Sequence, residues 1–105
     1  MTRQAVRGMK RAIHAGARAG ANDSSVTIGR ESALSLLSRS IGFGHGRLAI
    51  IRLGMAVHTG ATVPAEHWHY CHRAAHASKD ASLQALYLSA ARQAGGRVPD
   101  LTAVQ

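Results

Sequence analysis

Four of the chain's seven histidines lie in one stretch, Glu66-His67-Trp68-His69-Tyr70-Cys71-His72-Arg73-Ala74-Ala75-His76. On a helix turning about 100° per residue, His69, His72 and His76 fall within roughly 60° of one another, close enough for three imidazoles to reach one metal ion. No cysteine pair or nearby carboxylate completes such a set, and Cys71 points away from it. Two other readings therefore stay open beside metal ligation. One is a solvent-facing histidine and arginine surface with Trp68, Cys71 and Ala75 on the buried side. The other is a phosphate-contacting or pH-responsive surface, because imidazole titrates near neutrality.

The second chemistry-bearing pattern is charge. Lys and Arg number 13 against 5 Asp and Glu, a net charge of +8. The excess is concentrated early, since Arg3, Arg7, Lys10, Arg11 and Arg18 precede the first acid, Asp23. On a helix these five cations and His14 share an arc of roughly 100°, with Val6, Met9 and Ile13 opposite. An amphipathic basic helix results. Gly8, Gly16 and Gly20 interrupt it, each costing about 1 kcal/mol relative to alanine, so it is expected to form against the rest of the chain or a partner.

Arginine outnumbers lysine 11 to 2. A guanidinium donates two parallel hydrogen bonds to a phosphate, which an ammonium does not. With a pI near 11.4, this is the electrostatic footprint of a nucleic-acid binder. Aromatic residues make up only 4% of the chain, so backbone contact indifferent to sequence is expected rather than base reading on exposed rings. Arg3, Arg7, Lys10, Arg11 and Arg18 form the expected patch, extended by Arg47 and Arg52. Lipid is the weaker partner for this helix, whose apolar side lacks bulky Trp, Phe or Leu.

Other chemistry finds little support. Gly42-Phe43-Gly44-His45-Gly46-Arg47 superficially resembles a phosphate-cradling loop but lacks the spacing and the Lys-Ser/Thr of a P-loop, and reads as a flexible helix connection. Five scattered acids form no evident pair, and Cys71 with His67 has no third orienting group, so no enzyme, cofactor or small-molecule substrate is expected. The lone cysteine excludes an internal disulfide and a Cys-pair zinc site.

The elements that must position these residues are helical, since no stretch alternates with period two. Beyond the first helix, a second is expected over Arg30–Ser40, with Ile28, Leu34, Leu37 and Ile41 as its apolar stripe and Ser25 or Thr27 as cap. Asn22-Asp23-Ser24-Ser25 reads as a break. The third helix, Arg47–His58, carries two stripes, Leu48/Ile51/Met55 and Ile50/Leu53/Val57. Apolar nearly all round, it is central or shared with another subunit. Val63-Pro64, capped by Thr62, opens a fourth helix to Ala77. Ser78-Lys79-Asp80 reads as a turn and cap before a fifth helix, which ends at Gly95-Gly96.

The chain thus reads as all-α, a small bundle of four to five short helices: a basic N-terminal helical arm (1–22), a helical domain (23–96) and a tail (97–105). One core is all this length supports. With no run of about 20 apolar residues and no apolar stretch after the basic start, a soluble cytoplasmic protein with no membrane partner is expected. The Arg, Ala and Gly bias points to a bacterial coding sequence. The leading functional reading is a non-enzymatic protein that contacts nucleic-acid phosphates, as part of a nucleoprotein assembly. Its rival is a protein-interaction module, a small regulator or inhibitor dimerising through Leu48, Ile50, Leu53 and Val57.

Overall fold

The second helix starts at Asp23 rather than Arg30, because Asn22 is a cap and not a break. Its side chain accepts a 2.8 Å hydrogen bond from the Ser25 N–H, which satisfies one of the donors a helix start leaves open. Asp23 adds a negative charge at the positive helix end. The computed structural model describes residues 2–17, 20, 22–95 and 98. Within them the chain forms five helices and no strand: α1 (Arg3–Ala17), α2 (Asp23–Gly42), α3 (Gly46–His58), α4 (Ala65–Ala77) and α5 (Ala81–Ala94).

Small residues set the inner face of α2. Gly29, Ala33, Leu36, Leu37 and Ser40 are buried, whereas Ile28 is 50% exposed and Leu34 and Ile41 only flank the core. The stripe drawn through large residues is thus rotated from the true one, sharing only Leu37 with it.

At the N-terminal end of that face, glycines let α1 and α2 approach closely. Residues 12–16 of α1 face residues 25–29 of α2, so the two helices run antiparallel. A Cβ on Gly29 would meet the Ala12 carbonyl oxygen at 3.1 Å, and one on Gly16 would meet the Ser25 carbonyl oxygen at 2.7 Å. The glycines that weaken α1 as an isolated helix let its backbone lie directly on α2. Ile13 is buried there, with Val6 and Met9 packed against the same core.

Gly42 to Gly46 is a built turn rather than a flexible connection. Gly44 takes φ +71°, the His45 N–H donates to the Ser40 carbonyl at 2.9 Å, and the Gly44 N–H donates to the Ile41 carbonyl at 3.0 Å. These two bonds are the Schellman pattern, with Phe43 at the C-cap. The end of α3 repeats it: Gly60 at φ +80°, with bonds from Gly60 N–H to Val57 and from Ala61 N–H to Ala56.

Helix α3 is central, touching α2, α4 and α5. Ala49, Ile50, Leu53, Ala56 and Val57 enter the core, joined by Trp68, Cys71 and Ala75 of α4 and by Leu83, Tyr87, Ala90 and Ala94 of α5. The Trp68 and Tyr87 rings meet edge to face at 6.1 Å. Pro64, expected in the first turn, is instead the N-cap of α4, and Thr62 makes no cap bond. Asp80 caps α5 as expected, accepting from the Ser82 N–H at 2.8 Å. Apart from Val98, residues 97–105 lie outside the described residues.

The two kinds of glycine in α1 separate in a simple test. Gly16→Ala forces backbone apart and should lower the urea midpoint. Gly8→Ala meets nothing within 4 Å and should raise stability by up to about 1 kcal/mol through helix propensity. Equal responses in equilibrium unfolding would remove the close-packing argument.

Candidate nucleic-acid interface

The antiparallel α1–α2 pair brings the first turns of α1 beside the last turns of α2. A shallow groove of about 250 Å³ results, lined by Thr2, Arg3, Val6, Arg7, Lys10 and Arg39. Among the described residues, four cations and no acid border it. On α1 the spacing i, i+4, i+7 puts Arg3, Arg7 and Lys10 on one face, all exposed. Arg39, in the last turn of α2, carries no sequence signal of a patch, because its neighbours in sequence are apolar or uncharged.

Helix geometry adds to this field. The first turn of α1 contains no acid, although a helix N-terminus ordinarily favours one. Thr2 Oγ1 accepts from the Ala5 N–H at 3.1 Å and caps one donor. The remaining amide dipoles add their positive end to the groove beside Arg3. Opposing them, the C-terminal carbonyls of α2 present the negative end of a dipole, with Arg39 in that last turn.

Arg52 is engaged in the fold. Its guanidinium donates to the Leu36 carbonyl at 3.1 Å and to Ser40 Oγ at 2.7 Å, tying α3 to α2. Burial, and secondarily the charge of Arg39, lower its pKa from the usual arginine value. Expected as a phosphate contact, Arg52 is here engaged as a bracket between α3 and α2 and is not among the residues lining the groove. Arg47 sits elsewhere, in an exposed ion pair with Asp80 at 3.3 Å. Arg11 and His14 are exposed on α1 outside the groove lining, and Arg18 lies outside the described residues.

The expected interface residues divide. Ile50, Leu53 and Val57 are at most 3% exposed, so they are core residues and not a surface for a partner. Leu48 is half-buried and lines a shallow depression with Ile51, His45, Gly46 and Arg47. The doubly apolar character of α3 is thus mostly consumed by its central place in the bundle.

The histidine face does not assemble a three-ligand site. Among the described residues, no group of three His, Cys, Asp or Glu side chains is placed to hold a metal. His72 and His76 stack on one another with ring centroids 5.1 Å apart, and His72 also meets the Tyr87 ring edge at 5.6 Å. The stacking faces the rings toward each other instead of converging three nitrogens. Cys71 is buried on the opposite side, and burial pushes its thiol pKa up to about 12, which removes the thiolate a nucleophile or ligand needs.

No family model matches the chain, and no curated protein or solved structure is significantly similar to it. No helix among the described residues is long and apolar enough to cross a membrane.

Two outcomes follow from these placements. Arg52→Ala removes two hydrogen bonds to a charged donor and should cost about 1–3 kcal/mol in urea unfolding, a larger effect than it has on oligonucleotide affinity. For Cys71, the native thiol stays protonated above the ordinary value of 9.0 while the unfolded thiol ionises. The unfolded state then binds fewer protons, so stability falls as pH rises from 9 toward 12. Urea midpoints measured over that range should decline less steeply in Cys71→Ala.

Proposed function

We propose that this protein is a non-enzymatic nucleic-acid-binding protein that contacts the phosphate backbone through the α1–α2 groove. The carrying observation is the gathering of Arg3, Arg7, Lys10 and Arg39 along one groove, three cations from one helix and one from the next, with no acid among the described lining residues. Among the described residues, none of the three α1 cations has an acidic partner in the fold, and the ion pair present is Arg47–Asp80 on another part of the surface. Their charges are thus available to an external anion.

A row of cations on a rigid helix pair suits a polyanion with repeating charge. The contact is sequence-tolerant, because phosphates carry the affinity and no base edge is read. This favours a packaging or scaffolding role in a nucleoprotein assembly over recognition of a particular sequence.

The test is fluorescence anisotropy with a generic labelled oligonucleotide over a salt series. Four phosphate contacts predict a log–log slope of about −3 to −4. The triple substitution Arg3→Gln, Arg7→Gln, Lys10→Gln should flatten that slope by roughly 2 to 3. Point substitutions are preferable to deleting α1, whose loss would uncover the surface that Ile13 covers. A slope near zero in the wild type, or an unchanged slope in the triple variant with helicity intact, refutes the assignment.

A further inference from the structure

Phe43 is 63% exposed, although it is the chain's only phenylalanine and one of four aromatic residues. Trp68 and Tyr87 are buried in the core, and Tyr70 packs against it. Phe43 does neither. Its ring stands at the C-cap of α2, where the Schellman bonds fix the backbone from Ile41 to His45.

Two polar neighbours flank the ring. The Arg39 guanidinium carbon lies 5.2 Å from its centroid, and the His45 ring stacks on it at 5.8 Å with an interplanar angle of 22°. Arg39 also lines the phosphate groove. One side chain, Arg39, therefore joins the cationic groove to an exposed aromatic ring.

We propose that Phe43, with His45 beside it, is a base-stacking platform, and that the ligand of the groove is single-stranded nucleic acid. This rests on the reading of the groove as a phosphate site and specifies its substrate class. A duplex keeps its bases stacked on one another and offers an exposed ring nothing to cover it. Unpaired bases have free π faces, and stacking on an aromatic side chain tolerates any sequence. The Arg39 plane reinforces the stack, since a guanidinium packs on aromatic faces as well as pairing with phosphate. Confining the ring at a fixed C-cap limits the ordering cost of binding. The scarcity of aromatics noted in the sequence restricts stacking to one position and does not exclude it.

The experiment compares three labelled probes of equal length, an oligothymidylate, an abasic sugar-phosphate oligomer and a duplex, against wild type, Phe43→Ala and Phe43→Trp. The exposed position makes both variants compatible with the fold, which thermal unfolding verifies. Wild type should bind oligothymidylate more tightly than the abasic oligomer and the duplex. Phe43→Ala should weaken oligothymidylate about tenfold while leaving abasic affinity and its salt slope unchanged. Phe43→Trp should retain the affinity, and its added fluorescence should be quenched by oligothymidylate but not by the abasic oligomer.

Preference for the duplex, equal losses on both single-stranded probes, or no loss on either overturns the stacking proposal. The phosphate groove survives any of those results if the salt slope persists. Absence of salt-dependent binding to all three probes overturns the groove assignment itself, and the stacking proposal with it.

Discussion

A methyl group on Gly16 would stand 2.7 Å from the Ser25 carbonyl oxygen, so α1 and α2 lie together only because no side chain intervenes. The apolar stripe on α1 is narrow, with Ile13 buried and Val6 and Met9 at its edge. The four cations of α1, Arg3, Arg7, Lys10 and Arg11, cannot be folded inward without a large desolvation cost, so α1 must expose most of its circumference. Close backbone approach makes a thin contact sufficient. The position of every charge on α1 then follows from that crossing.

From this crossing comes the register that sets Arg3, Arg7 and Lys10 beside Arg39. The acids of α2, Asp23 and Glu31, sit in its N-terminal half, toward the other end of the helix pair. Antiparallel pairing thus separates the cationic end from the acidic one. Like charges gathered at the groove repel one another, and the fold tolerates this because the three α1 side chains project into water, where the effective dielectric is high and salt screens them. Arg52 differs. It is drawn inward by two hydrogen bond acceptors, and its charge supports the α2–α3 joint while adding to the field behind Arg39.

Ends of helices matter as much as their faces in this chain. The Schellman turn after α2 satisfies terminal carbonyls and at the same time holds Phe43 outward beside Arg39, while the equivalent turn after α3 presents the Thr59 carbonyl to Arg30 Nε at 2.9 Å. In both places a glycine with positive φ makes the turn, and the residue before it acquires a defined position. Backbone hydrogen bonds fix where Phe43 and His45 leave the chain, and ring and guanidinium contacts bring their side chains together with Arg39.

Periodicity and charge order were enough to read the all-α class, the amphipathic α1 with Ile13 inward, the burial of Trp68, Cys71 and Ala75, and the Asp80 cap, because each is a local or single-helix property. Which stripe of a helix faces the core is a pairwise property. Large side chains suggest the Ile28 stripe on α2, but the buried face is Gly29, Ala33 and Ser40 with two leucines, set by α1 packing at Gly29 and by α3 reaching Leu36 and Ser40 through Arg52. The same holds for α3, where only the packing of three neighbouring helices reveals that Ile50, Leu53 and Val57 are core and not interface. Arg39 and Phe43 carry no local pattern that marks them. Their significance arises where two helices, distant in sequence, come to share one end of the bundle, and a one-dimensional pattern holds no record of that meeting.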